Sequence, residues 1–290
     1  MSFALIGLGE VGTCFAAELL AQGVALRVGS RPSERARTSA ERLGLTLETD
    51  PASAVRDADV VLLTVTGDGL RDVVQRIAPA LRPTAIVADL TAADPPQVIA
   101  AAKLLGANCA RFVDVAIMGA VSLHGIRTPL LAAGDMAAEF AAAMNAFGFA
   151  VSARAESQVG DASRLKLLRS LFTKGLDALV IESMLAAAAL GLEADLIDLL
   201  SDYDQRPMRE HIRMYLRTHP PHAARRLVEM QAAELQLKAL NLPSVVTRAA
   251  IERYRRTAEL VESRGLPNAP LDADRALAWL LDAEQHRSEN

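Results

Sequence analysis

The sequence predicts an α/β fold, with a doubly wound parallel sheet in the first half and an all-α domain in the second. Three observations carry this. Short β-rich runs alternate with helical segments through the first 150 or so residues, the rhythm of a sheet whose strands are joined by helical crossovers. After about Val151 no convincing strand recurs and helical periodicity takes over. The chain has 290 residues, 51% of them hydrophobic, which is long for one domain and gives each half enough apolar material for a core.

The elements follow in order. Phe3 to Gly7 (FALIG) reads as a buried strand and Val11 to Gln22 as a helix. Ala25 to Gly29 is a second strand, and Pro32 to Leu43 a helix with Ser30 as its candidate N-cap. Asp59 to Val65 is a continuous apolar run, as expected of a strand covered on both faces. Ala85 to Leu90 and Arg111 to Ile117 are further strands, each after a helical stretch. Pro129 to Gly134 and a helix ending near Phe147 complete this half. Beyond it, Ala162 to Leu190 reads as one helix of roughly 40 Å at about 1.5 Å per residue. Shorter helices follow, punctuated by Pro207, Pro220 and Pro221, Pro243, and a turn at Gly265-Leu266-Pro267. The expected domains are residues 1–154 and 155–290. No internal repeat or low-complexity segment is visible.

Composition excludes several classes of function. The net charge of −4 asks for neither nucleic acid nor an anionic membrane as partner. The most apolar late stretch, Ala178 to Leu192, is broken by Glu182 and Gly191 and falls short of a membrane span. Cys14 and Cys109 read as two small, half-buried thiols rather than a disulfide framework. No metal site is expected. The opening MSFALIGLGE lacks the basic and apolar regions of a signal peptide, so a reducing cytoplasm is the expected location.

Gly7-Leu8-Gly9-Glu10-Val11-Gly12 is a G-x-G-x-x-G that follows a strand and opens a helix, the context in which the pattern binds a dinucleotide in a Rossmann domain. Gly7 allows the tight turn, Gly9 lets the backbone approach a pyrophosphate, and Gly12 lets the helix pack on the strand. The helix N-terminus then offers free N–H groups to the phosphates. Thr64, Val65 and Thr66, at the end of the third apolar strand, are further cofactor candidates. The end of the second strand selects the cofactor. NAD-binding proteins place a carboxylate there for the ribose 2′-hydroxyl. This chain places Ser30, Arg31, Pro32 and Ser33 there, with Arg35 a turn later. A hydroxyl and a guanidinium suit a 2′-phosphate, so NADP(H) is expected over NAD(H).

At this point the chain resembles the β-hydroxyacid dehydrogenase superfamily, that of 6-phosphogluconate and 3-hydroxyisobutyrate dehydrogenases. Its GLGEVG resembles that family's GLGxMG. Asp114 to Ala120 (DVAIMGA) stands where the family has a D-A-P-V-S-G-G substrate segment, and Leu130 to Gly134 is similar to the strand that follows. Gly160-Asp161-Ala162-Ser163-Arg164-Leu165-Lys166 resembles the G-x-G-x-x-x-K that opens the family's long interdomain helix and carries its catalytic lysine. The likeness is clear over residues 1–190 and looser to the end, and it points to a subgroup with a poorly characterised C-terminal domain. It departs at Ala116, Met118, Arg169 and Ser170, where the family has proline, serine and two asparagines. The resemblance implies Lys166 as general acid/base. It makes Met118, Gly119, Ala120 and Ser122 candidates at the substrate, Gly119, Ala120 and Ser122 by presenting N–H groups and a hydroxyl to an anion. It also implies a homodimer and an active site in the cleft between the domains.

The lysine helix speaks for itself as well. Ser163, Lys166, Ser170, Thr173 and Asp177 fall on one face at spacings of three and four, while Leu165, Leu168, Phe172, Leu176 and Leu179 fall on another. A stripe this rich in small hydroxyls reads as the lining of a polar cleft. Partial desolvation there, with Arg169 and an oxidised nicotinamide nearby, lowers a lysine pKa towards the range useful for proton transfer. In the second half His222, Arg225, Arg226 and Glu229 lie within about two helical turns, and His222, Arg226 and Glu229 are candidates for an anionic substrate. His124 and Arg127 follow the substrate segment as loop residues.

The expectation is therefore an NADP-dependent oxidoreductase acting on a small hydroxy acid or related alcohol, with Lys166 as general acid/base. Three alternatives stand beside it. A lyase or isomerase using bound NAD(P) for transient oxidation needs the same residues. An imine reductase shares the architecture, though Lys166 counts against it. A non-catalytic redox-sensing module leaves the lysine stripe unexplained.

Overall fold

The computed structural model describes residues 1–106, 111–266 and 271–286. Cys109 and Pro267 lie outside the described residues. The chain forms two compact units, Met1–Leu171 and Phe172–Asn290.

The first unit is built on an eight-stranded sheet. In chain order its strands are β1 (Ser2–Ile6), β2 (Ala25–Gly29), β3 (Leu47–Glu48), β4 (Val60–Leu63), β5 (Ile86–Asp89), β6 (Phe112–Ile117), β7 (Leu130–Ala133) and β8 (Val151–Ala153). Their spatial order is β3-β2-β1-β4-β5-β6-β7-β8. Helices α1 (Glu10–Ala21), α2 (Glu34–Arg42), α3 (Pro51–Val55), α4 (Leu70–Ile77), α5 (Pro95–Lys103), α6 (Val121–His124) and α7 (Ala137–Asn145) connect them.

Both faces of the sheet are covered, and alternation along β1 shows how. Phe3 and Leu5 pack with Phe15 and Leu19 of α1 and Phe140 and Met144 of α7. Ala4 and Ile6 point the other way, into a core with Val55 of α3, Val74 and Ile77 of α4 and Val98 of α5. This double coverage is why the central strands are apolar throughout.

The expected doubly wound architecture is present, with four local differences. β7 runs antiparallel to β6, with Asp114 opposite Ala133 and Ile117 opposite Leu130. The connection 118–129 holds only the short α6 and a single 3₁₀ turn, too little helix for a parallel crossover, so the chain turns back. The two-residue β3 and three-residue β8 are too short to show a period. β8 is fixed by Asn145, whose side chain both donates to and accepts from the backbone of Val151. Finally, Ser33 rather than Ser30 caps α2, accepting from the N–H of Ala36 at 3.2 Å.

The second unit is helical in all its described regular elements. Helix α8 (Asp161–Leu190) starts in the first unit and continues into the second. It is followed by α9 (Glu193–Leu200), α10 (Met208–Thr218), α11 (Ala223–Ala239), α12 (Val245–Arg264) and α13 (Ala273–Gln285), with α11 packed on α12 and α10 on α13. No helix among the described residues is long and apolar enough to cross a membrane.

Candidate active site

Strand order reverses between β1 and β4, since the chain builds outward to β3 and then returns to the other side of β1. Loops leaving those two strands diverge there and open a crevice at their C-terminal ends. The glycine motif leaves β1 at this point. Gly7 has φ of +109°, and a Cβ on it would stand 2.8 Å from the Thr64 carbonyl oxygen. Its own N–H donates to Gly29 O at 2.8 Å, and the Thr64 hydroxyl donates to Gly7 O at 2.7 Å. Gly12 is equally constrained, because a Cβ would fall 1.9 Å from Gly7 O and 2.7 Å from Thr64 Oγ1. Gly9 differs: a Cβ there would meet nothing within 4 Å. It is the N-cap of α1 and offers no side chain, so no side-chain cap competes with an anion for the N–H groups at the helix start.

A cavity of about 530 Å³ opens at this crevice. Its lining includes Gly7, Leu8, Gly9, Ser30, Arg31, Ser33, Thr64, Val65 and Thr66. Glu10, Val11 and Gly12 form the first turn of α1 beside it, with Glu10 exposed and Gly12 buried. Three residues that sequence reasoning had not assigned to the cofactor, Asp68, Asp72 and Arg76, line the same cavity, as does Arg35. Arg31 reaches across it. Its Nη2 lies 3.8 Å from where a Cβ on Gly69 would stand, and its charge helps hold the Asp68 carboxyl low, after the larger effect of a hydrogen bond from Thr66. The cradle, a helix start without a capping side chain and the cavity volume fit a dinucleotide.

A second cluster sits where the C-terminal end of β5 lies against the middle of β6. Asp89 and Asp114 are register partners and almost wholly buried. Asp114 clamps the start of α8: one oxygen accepts from the N–H groups of Gly160 and Ser163, both at 3.0 Å, and the other from the Ser163 hydroxyl at 2.6 Å. Burial still pushes the Asp114 carboxyl above its ordinary value. Lys166 follows Ser163 by one turn. Burial lowers its pKa, while Asp89 and then Asp114 pull it back up. Little in the sequence marks Asp89. Its one available signal was a carboxylate closing an otherwise apolar strand.

The remaining candidates fall in separate places. Met118 packs against the small cluster of Ala116, Ala133 and Ala162, so an apolar side chain stands close to the start of α8. Gly119, Ala120 and Ser122 are exposed; the carbonyl of Ala120 accepts from the Thr128 hydroxyl. The Ser163 hydroxyl proton is taken by Asp114, and Ser170 is half-buried on α8. In the second unit His222 is the N-cap residue of α11, Arg226 donates to the Thr218 hydroxyl at 3.0 Å, and Glu229 pairs with Arg225 at 2.6 Å. Among the described residues no group of acidic, histidine or cysteine side chains could hold a metal ion.

Comparison with known proteins adds the family. Residues 2–153 match the NAD binding domain of 6-phosphogluconate dehydrogenase, and residues 187–257 match a domain of unknown function. The 3-sulfolactaldehyde reductase of Escherichia coli is 30% identical over 67% of this chain and 66% of its own. A conserved protein described as structurally similar to 3-hydroxyacid dehydrogenases is 29% identical, with 92% of this chain and all of that one covered at a TM-score of 0.61. An imine reductase from Myxococcus stipitatus covers 96% of this chain and 99% of its own at a TM-score of 0.77, with 18% identity, which speaks for the fold alone. The stretch that forms the glycine cradle lies within the matched NAD binding domain, and the chain belongs to the 6-phosphogluconate dehydrogenase-like family of NAD(P)-dependent oxidoreductases.

Proposed function

We propose that this chain is an NADP(H)-dependent oxidoreductase that interconverts a small hydroxy acid and its carbonyl, with Lys166 as the proton-transferring group. The observation that carries the reading is the placement of Lys166. It is half-buried and one turn beyond a serine that Asp114 ties to β6, on the same edge of the sheet as the dinucleotide cradle. Bound NADPH supplies a hydride, and the chain's task is to donate a proton to the carbonyl oxygen and to keep the site shaped around it. A half-buried lysine suits this, since desolvation brings its pKa down towards the working range.

Arg31 and Ser30 favour NADP(H), and Arg35 and Arg76 add positive charge to the same cavity. A lower Michaelis constant for NAD(H) than for NADP(H) would refute this preference. For substrate, the relative named as a 3-sulfolactaldehyde reductase points to short anionic aldehydes. Met118, where the family carries serine, puts an apolar contact in place of a hydroxyl and argues for a different shape of acid. A panel of short sulfonated and carboxylated aldehydes, followed by NADPH absorbance, tests this. On any substrate so found, Lys166→Ala lowers turnover by about 10²- to 10⁴-fold with NADPH affinity unchanged. Full turnover in that variant overturns the assignment.

The assembly belongs to the same reading. Leu168, Phe172, Leu176 and Leu179, the apolar stripe of α8, are each more than 40% exposed in the single chain. This uncovered stripe supports a homodimer in which a second copy covers the helix.

A further inference from the structure

Three arginines among the described residues are half-buried: Arg111, Arg226 and Arg256. Arg111 meets the carboxylate of Glu139, and Arg256 that of Glu284. Arg226, on α11, pairs with no carboxylate among the described residues. Its side chain reaches a neutral group instead, Nη2 donating to the Thr218 hydroxyl at 3.0 Å. Thr218 passes its own proton to Met214 O at 2.8 Å, so it holds the guanidinium against the last turn of α10 without offering any charge. A cation taken halfway out of water is ordinarily paired, and this one lacks its counter-charge.

The surroundings are short of negative charge as well. Arg253 on α12 donates to the wholly buried Thr257 hydroxyl at 3.0 Å, and it shares its carboxylate, Glu284, with Arg256. Glu252 is taken by Arg255. His219, the residue that ends α10, lies half-buried beside Tyr254, with Nε2 2.9 Å from the Thr257 hydroxyl. Its Nδ1 makes no hydrogen bond among the described residues. After burial, Arg253 and then Arg226 lower the pKa of this ring, as expected of an imidazole in a positive field.

We propose that Arg226, Arg253 and His219 form a binding site for a small oxyanion, a carboxylate, sulfonate or phosphate, within the second unit. With Nη2 on Thr218, Nε and Nη1 of Arg226 remain as donors for two oxygens of one anion. When the Thr257 proton goes to Nε2 of His219, the ring proton sits on Nδ1 and adds a further donor. The trio expected from the sequence is not the one assembled here. Glu229 is taken by Arg225 at 2.6 Å, and His222 is exposed at the start of α11.

The test uses neither turnover nor Lys166, so its failure leaves the reading of the first unit untouched. The chain has five histidines, and the His219 ring is followed by its Cε1 proton signal in NMR, assigned by its absence from His219→Gln. Saturating NADPH fills the dinucleotide cradle. Sodium sulfate is the probe, against sodium chloride at matched ionic strength. Sulfate is expected to shift the His219 signal along a saturating curve that chloride does not reproduce. Arg226→Gln keeps a donor for Thr218 and weakens sulfate binding by about tenfold. Arg225→Gln removes the same charge one residue away and leaves the affinity unchanged. Should Arg226→Gln fail to fold, Arg226→Lys, which keeps the charge and loses the fork, weakens sulfate several-fold. A His219 signal that moves equally in both salts, or an Arg225→Gln loss as large as that of Arg226→Gln, overturns the site. Where the site stands, turnover on any aldehyde found separates two sources of the anion. Sulfate that raises KM and leaves kcat alone marks the acid end of the substrate; sulfate that changes kcat, or neither constant, marks a separate small anion.

Discussion

The two units of this chain solve the problem of burying apolar surface in opposite ways. In Met1–Leu171 the sheet is sealed on both faces, and the largest fully buried side chains, from Phe3 and Phe15 to Leu130 and Phe140, all belong to it. In Phe172–Asn290 a few residues such as Leu237, Ile251 and Leu260 are buried, while Val180, Ile181, Leu185, Ile197 and Leu199 are about half or more exposed. An apolar surface of that extent on helices does not persist facing water. The first unit covers its own core, and the second leaves an apolar helix surface exposed. On the proposed reading the difference divides the tasks: the sheet would hold the cofactor and the proton-transfer cluster, and the helices the assembly.

The strongest way to break that comparison is to charge the exposed face of α8. Ile181→Glu with Leu185→Glu puts two carboxylates on the surface that the proposed dimer would bury. Each lost apolar contact is worth about 1.5–3 kcal/mol, and the charges add a desolvation cost. The wild-type chain is expected to run as a dimer in light scattering and the double variant as a monomer with a lowered melting temperature. A wild-type chain that is monomeric at micromolar concentration sinks the dimer, and with it this account of the second unit.

What is legible in the sequence follows the same division. The cradle was legible because its chemistry is local: one turn needs Gly7 at a positive φ and Gly12 against Gly7 O, and both constraints act within six residues. The lysine helix was legible because a 30-residue helix repeats its period many times. Asp89 was not, since its neighbour Asp114 is distant in sequence and brought beside it only by strand register. The reversal of β7 depends on how little helix the preceding loop contains, and β3 and β8 are too short to carry a pattern. Ser33 and Ser30 are both good caps by type, and only the backbone path decides between them. In the second unit the helices were readable, but not which of their faces would remain uncovered.

Within the first unit, the glycines sharpen the comparison by separating packing from binding. Gly12→Val drives a side chain into Gly7 O and Thr64 Oγ1. It lifts α1 off the sheet, costs about 2 kcal/mol of stability and weakens NADPH binding on the order of 100-fold. Gly9→Ala meets no protein atom. Its melting temperature should stay within a degree or two of wild type, while NADPH affinity, read by fluorescence titration, falls by about tenfold because the methyl enters the space of the phosphates. Equal losses of stability in the two variants would show that Gly9 is also a packing glycine.

The second unit does possess internal order, and Glu182 is its clearest case. Ser244, the N-cap residue of α12, turns its hydroxyl to Glu234, so the helix receives its cap from α8 instead. Glu182 accepts from the N–H groups of Val246 and Thr247 at 2.9 and 2.8 Å and from the Thr247 hydroxyl at 2.6 Å. Burial alone would raise its pKa, but these hydrogen bonds outweigh it and hold the carboxyl low. Glu182→Gln keeps one acceptor, loses the charge, and costs about 1–2 kcal/mol. Denaturant titration should register this loss. A neutral substitution would mean that the partner copy, not Glu182, fixes α12.

Acid separates the units by a smaller margin, because their buried groups respond to it with opposite sign. Asp89 has its pKa raised to about 6, so the folded state favours the protonated form; its contribution to stability is full below the unfolded value of 3.8 and is lost as pH rises through 6. His219 is the reverse. Burial, then Arg253 and Arg226, pull it down to about 4, with its ring against Tyr254 and Nε2 2.9 Å from the Thr257 hydroxyl. The neutral ring is favoured in the folded state, so its contribution is present above the unfolded value of 6.5 and is lost as pH falls towards 4. Between pH 6 and pH 4 the sheet gains and the helices lose. Hydrogen exchange at pH 7 and pH 5 is expected to show α10 and α12 losing protection, by an amount on the order of 1 kcal/mol, while β5 keeps its own. His219→Gln, which cannot titrate, should abolish that loss in α10 and α12. If it does not, acid acts on the second unit through its assembly rather than through this ring, and the exposed face of α8 becomes the place to look.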